Sequence, residues 1–219
     1  MNFLVISGLK SELKSLNNLD VVCGSGFAKK ATIITEKLIN NKFDCVVSFG
    51  FAGGLTNQLT TGETILSKNI VWNNYSINPA SKKYLNFFKG KLREKRYKIV
   101  DIFSSEKIIS NGKKELKVKE KNTFLAVDME SEFIQKIAQK NNIPFIAVRV
   151  ILDDYKVHIP NFIIMCTNSD GRVQVLKLLV SILRKPKRIF DLLRLSRIYF
   201  SANRKLKKLS KLIFEKKLH

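Results

Sequence analysis

The chain reads as an α/β protein, a three-layer α/β/α arrangement around a central mixed, largely parallel sheet with a basic helical tail at its C-terminal end. Two observations predict this. Short apolar runs alternate with helically spaced segments from the first residues onward, the order expected when strands are joined by helical crossovers. The chain has 219 residues with 45% hydrophobic content, enough for one domain with a real core.

Taken in order, residues 3–6 form an apolar run ended by Gly8, and residues 9–16 start a helix. Residues 20–23 are a short strand stopped by Gly24-Ser25-Gly26, and residues 28–40 carry helical spacing through Ala31, Ile34 and Leu38. Residues 43–49 are strongly apolar and run into Gly50, Gly53 and Gly54. Residues 63–72 alternate weakly as a further strand, 73–98 read as loop plus a short helix, and 99–103 as a strand. Residues 105–118 read as a helix interrupted at Asn111-Gly112. A strand ending at Asp128 then leads into a helix with Phe133, Ile134, Ile137 and Ala138 on one face, closed by Asn141-Asn142. Pro144 opens a β-rich run to Leu152, with Asp153 at its end.

From residue 173 the pattern is helical. Leu176, Leu179, Val180 and Leu183 share a face, expected to pack on the core; a second helix follows Pro186, and a third carries Leu206, Leu209, Leu212 and Ile213. We place a catalytic domain at residues 1–183 and a basic amphipathic helical tail at 184–219.

The net charge of +22 favours an anionic partner, nucleic acid or a membrane surface, although a surface simply rich in lysine accounts for it equally well. No RNA-binding aromatic signature or zinc motif supports nucleic acid. Cys23, Cys45 and Cys166 lie far apart in apolar sequence, with neither a CxxC pair nor a histidine cluster. They read as buried thiols in a reducing compartment, and neither a metal nor another cofactor is expected. The apolar N-terminus is too short for a signal peptide and lacks a basic region. No run of about 18 apolar residues is present. The expected location is the cytoplasm.

Three stretches carry chemistry. Ser48-Phe49-Gly50-Phe51-Ala52-Gly53-Gly54-Leu55 follows a buried strand, and its glycines let backbone N–H groups approach a ligand or form a tight turn. Its spacing fits neither a dinucleotide GxGxxG nor a Walker A loop. Gly24-Ser25-Gly26, with Lys29 and Lys30 one turn on, is either an anion site at a helix N-terminus or a simple turn. The acids say more. If residues 126–153 form a parallel strand–helix–strand unit, Glu130 and Asp153 reach one edge of the sheet, where open α/β folds bind ligands. A carboxylate favoured by the helix dipole explains Glu130 as well, and a loop or capping acid explains Asp153. Arg149, inside an apolar strand, needs an acidic partner.

Together these residues resemble the purine nucleoside phosphorylase and nucleosidase superfamily, on the side of methylthioadenosine/S-adenosylhomocysteine nucleosidases. Three segments match in order: Val5 to Glu12; Ser48 to Leu55 with Thr61-Gly62-Glu63; and Val127 to Ser131 with Pro144 to Asp153. The resemblance implies that Asp153 protonates the purine N7 as general acid and that Glu12 activates the attacking water. It implies that Glu130 binds the ribose hydroxyls, that Met129 packs on the sugar, and that the main chain near Ile108 and Ile109 flanks the base beside Phe51, Ala52 and Gly53. A bond whose cleavage builds an oxocarbenium-like sugar needs carboxylates near that sugar, and a purine leaves well only when protonated. Asp153 then has to hold its proton near neutral pH, which burial favours.

The strand before the glycine stretch lacks the arginine with which phosphorylases grip phosphate, so water is the expected nucleophile. Gly24, Ser25, Gly26 and Lys29 keep a phosphate site open. Phe51 and Leu152, at positions where the family carries smaller or polar residues, are expected to make the site more apolar. The basic tail resembles that of hopanoid-associated members acting on adenosylhopane. That implies a small-molecule nucleoside substrate, lipid-linked in this subgroup, and contact with an anionic membrane at its inner face. The family resemblance also implies a homo-oligomer.

Overall fold

The computed structural model describes residues 1–7, 20–23, 33–38, 42–72, 75–92, 96–105, 125–157, 160–166 and 174–214, with only the backbone of 20–23 and of residue 164. Eight strands form one mixed sheet: β1 (Phe3–Ser7), β2 (Asp20–Cys23), β3 (Cys45–Gly54), β4 (Thr64–Val71), β5 (Ile77–Pro79), β6 (Tyr97–Ser104), β7 (Ala126–Asp128) and β8 (Phe145–Asp153). The described helices are α1 (33–38), α2 (Lys82–Lys91), α3 (Ser131–Lys140), α4 (Asn161–Met165), α5 (Val175–Arg184) and α6 (Arg188–Phe214).

The strand order is β2-β1-β3-β7-β6-β4-β5, and β8 pairs with both β3 and β4, so β3, β7, β6, β4 and β8 close into a ring. Strands β1, β2, β3 and β8 run parallel, which brings Ser7, Cys23, Gly54 and Asp153 to the same end of the sheet. β1 and most of β3 and β8 are buried because helices cover both faces. One core cluster holds Ile34 of α1 and Ile134 and Ala138 of α3 with Ala52, Ala147 and Ile151. A second holds Tyr84 and Phe88 of α2 and Leu206, Leu209 and Ile213 of α6 with Val47, Val148 and Val150. The expected α/β/α layering is therefore the observed one.

Helix α3 ends where its asparagines predict. Asn142 sits in the left-handed region at φ 54°, the Asn142 N–H donates to the Gln139 carbonyl at 3.0 Å, and the Ile143 N–H donates to the Ala138 carbonyl at 2.9 Å. This Schellman closure satisfies carbonyls that the helix leaves open.

Two expectations change. Strand β7 pairs antiparallel with β3, while β8 pairs parallel with it, so β7 and β8 run in opposite directions. Residues 126–153 are not a parallel crossover: β7 starts opposite the tip of β3 and runs back along it, and α3 returns the chain to the far end of the sheet. The C-terminal helices also exchange roles. Residues 188–214 form a single 27-residue helix rather than two. The expected core helix, α5, buries none of its residues, whereas the distal half of α6 packs into the sheet through Ala202, Leu206, Leu209 and Ile213. That i, i+4, i+7, i+11 spacing is a core-facing stripe, and each buried Leu or Ile contributes about 1.5–3 kcal/mol.

Candidate active site

The glycine stretch is neither a turn nor a loop. Strand β3 continues through Gly54, and its register with β8 shifts between Ala52 and Gly53, so that Gly53 faces Asp153. The same Gly53 pairs with Val127 on its other side. A Cβ on Gly53 would stand 3.2 Å from Asp153 Oδ1 and 3.3 Å from Val127 Cγ1. A Cβ on Gly54 would meet the Asp154 Cα at 3.4 Å. The missing Gly53 side chain lets the Asp153 carboxylate lie against bare backbone.

Along β8, Arg149 and Ile151 alternate onto one face, and the register shift that follows Ile151 interrupts the alternation before Asp153. Ile151 packs there with Ile134 and Ala138 of α3. Glu130 is the N-cap residue of α3. Glu130 is half-buried and makes no side-chain capping bond. Met129 beside it is 39% exposed.

The capping is done by Asp128. Its Oδ1 accepts the N–H of Ser131 at 3.1 Å and of Glu130 at 3.3 Å, and the Ser104 hydroxyl at 3.0 Å. Its Oδ2 accepts the Ser131 hydroxyl and pairs with Arg149 Nη2 at 2.8 Å. Arg149 Nη2 also donates to Ser48 Oγ at 2.6 Å and Ser131 Oγ at 3.2 Å, while its Nε has no partner among the described residues. Both charged side chains are 2% exposed. This buried network ties β3, β6, β7, β8 and α3 together. Removing one partner of such a pair costs about 3–5 kcal/mol, because the other charge stays buried.

Each acidic doublet thus divides. Asp128 is structural, and Glu130 is left at the face. In the second doublet, Asp154 accepts the Thr61 N–H at 3.4 Å, the Thr61 hydroxyl at 3.3 Å and the Lys156 N–H at 3.0 Å. It anchors the Thr61-Gly62-Glu63 loop, whose Gly62 has φ +85° and whose N–H donates to the Ile151 carbonyl at 2.7 Å. Asp153 is left facing Gly53. The role of Asp128 was detectable from sequence: a buried Arg149 required an acid, and Asp128 ends a neighbouring apolar run.

Other expected positions fare differently. Ala52 is buried on the α3 side. Phe51 and Leu152 turn to the opposite face, where both pack in the α6 cluster and the Phe51 ring lies 5.9 Å from Tyr199. Glu12, Gly24, Ser25, Gly26, Lys29, Ile108 and Ile109 lie outside the described residues. Cys45 and Cys166 are buried free thiols, and burial pushes the Cys45 thiol far up.

The family described as the phosphorylase superfamily matches residues 19–164. The 5'-methylthioadenosine/S-adenosylhomocysteine nucleosidase of Staphylococcus haemolyticus is 26% identical over 175 residues, covering 70% of this chain and 77% of that protein. Among solved structures, the MTA/SAH nucleosidase of Streptococcus pneumoniae in complex with 8-aminoadenine aligns with a TM-score of 0.67 at 16% identity, covering 97% of this chain and 99% of that one. The futalosine hydrolase of Helicobacter pylori aligns with a TM-score of 0.66 at 15% identity, covering 97% of each. A match spanning 97% of the chain takes in most of the C-terminal helices, so these do not by themselves set the chain apart from the solved nucleosidases. The ordered motifs, the ring-closed mixed sheet and the family match lead to one conclusion: the chain belongs to the phosphorylase superfamily.

Proposed function

We propose that the protein is a purine nucleosidase that hydrolyses the N-glycosidic bond of a 5′-substituted adenosine and releases adenine. The observation that carries this reading is the Asp153 carboxylate lying against the bare backbone of Gly53 at the end of β8. Family membership and the nucleosidase names of its relatives support it.

In the proposed reaction the C1′–N9 bond breaks and its electron pair passes into the purine, which takes the Asp153 proton at N7. Glu130 holds the ribose hydroxyls and lowers the energy of the cationic sugar. Water adds to C1′ and gives its proton to Glu12. The products are adenine and a 5′-substituted ribose. Met129 offers an exposed apolar side chain to the sugar. For the 5′ group, the finer proposal is a lipid-linked adenosine such as adenosylhopane, favoured by the apolar, uncovered surface of α5.

Adenine release from 5′-methylthioadenosine, S-adenosylhomocysteine and a lipid-linked adenosine, with and without phosphate, tests this. Hydrolysis predicts adenine and free ribose derivative without phosphate, with the lipid-linked form turned over best. Adenine formed only with phosphate would make the enzyme a phosphorylase using Gly24, Ser25, Gly26 and Lys29.

A further inference from the structure

Helix α5 exposes Val175, Leu176, Leu179, Val180 and Leu183, with Leu176 and Leu183 each 79% exposed. At 100° per residue these five fall within an arc of about 140°. Residues 178, 181 and 182, on the other side, are half-buried against the rest of the molecule. The first half of α6 continues the pattern, with Phe190 at 71% and Leu193 at 50% exposed. This is an amphipathic helix turned outward.

The charge around the stripe is almost all of one sign. Lys177 and Arg184 flank it on α5, Lys185 and Lys187 fill the connection, and Arg194 and Arg197 follow on α6, with Asp191 the single acid of residues 174–200. A second copy of the chain docked here about a two-fold axis would set these cations against themselves. Nucleic acid would match the charge but leave the aliphatic stripe wet. An anionic bilayer satisfies both, taking the aliphatic groups among its acyl chains and the cations at its headgroups. Among the described residues no helix is long and apolar enough to cross a membrane. At about 1.5 Å per residue, α5 spans half the hydrocarbon core and fits lying in the interface plane.

We infer that α5 and the start of α6 form a docking surface for an anionic lipid bilayer. This is independent of the chemistry at Asp153, and the test separates the two. The full chain is sedimented with vesicles of phosphatidylglycerol and phosphatidylcholine in equal parts, and with phosphatidylcholine alone, across a salt series. The wild type sediments with the anionic vesicles and is released as salt rises. A Leu176→Glu/Leu183→Glu variant, folded because α5 buries none of its residues, loses vesicle affinity about ten-fold or more. A Lys82→Gln/Lys91→Gln variant, with the same change in net charge on α2, loses less than about three-fold. Adenine release from a soluble substrate stays unchanged in both. Equal losses in the two variants would reduce the effect to net charge and overturn the inference. So would absence of binding to anionic vesicles, competition by transfer RNA that the Leu→Glu changes do not affect, or a wild-type dimer that those changes dissociate.

Discussion

Two regions of the molecule solve opposite problems. At the candidate site, polar and charged groups are buried and every element is cross-linked: Asp128, Arg149, Ser48, Ser104 and Ser131 join four strands and a helix within hydrogen-bond distance. On α5 and the first half of α6, apolar groups are exposed and packing is sparse. A site proposed to position a proton donor is held by partners that cannot move without leaving a buried charge. A surface whose aliphatic groups stand in water contributes little to stability and is there for something else. The contrast also runs within α6, whose distal half is core and whose proximal half is surface.

The widest separation of the two regions comes from Asp153→Asn. Adenine release falls about 10²- to 10⁴-fold, the share a positioned general acid supplies, while the denaturant midpoint barely moves. Near-normal turnover would remove Asp153 as the acid. On the stability side, Asp128→Ala costs about 3–5 kcal/mol by urea unfolding, because Arg149 stays buried without its carboxylate. Replacing both partners by apolar residues should return much of that loss, and a double-mutant cycle measures how much. Within the C-terminal helices, Leu206→Ala costs about 2–5 kcal/mol but Leu183→Ala less than about 0.5 kcal/mol; equal costs would show that α5 is packed after all. Gly53→Ala places a methyl group 3.2 Å from Asp153 Oδ1. It should therefore lower kcat several-fold for a stability change of about 1 kcal/mol, and a mutant that lost only stability would break the link to the carboxylate.

The smallest effect concerns Cys45. Burial raises its thiol from the ordinary value of 9.0, so the folded state keeps a proton that the unfolded state releases above that pH. The unfolded chain then binds fewer protons, and stability falls with rising pH by up to about 1.4 kcal/mol per unit. A Cys45→Ala variant should show a shallower decline above pH 9.0. Parallel profiles would mean that the thiol ionises in place.

Much of this was legible in the residues. The apolar runs located β1, β3, β4, β6 and β8, the paired asparagines located the end of α3, and three ordered motifs pointed to the superfamily. Period and composition report which residues are buried and where chain direction changes, and both are local properties. Strand direction is not local. Nothing in Ala126-Val127-Asp128 says whether β7 runs with or against β8, because an apolar strand satisfies either ladder. The paired acids illustrate the same limit: Asp128 and Glu130, or Asp153 and Asp154, look alike in sequence. Only the arrival of Arg149 from β8 and Thr61 from a distant loop makes one of each pair structural.

What the sequence by itself determined is the class of fold, the family and the residues that can do chemistry, since these rest on spacing and residue type. What only the tertiary structure decided is the division of labour among those acids and the exchange of roles between α5 and α6. The leucine stripes of the two helices are of the same kind, but only that of α6 meets the sheet. Burial is a property of what lies opposite a side chain, and that is set by the packed chain rather than by the stripe.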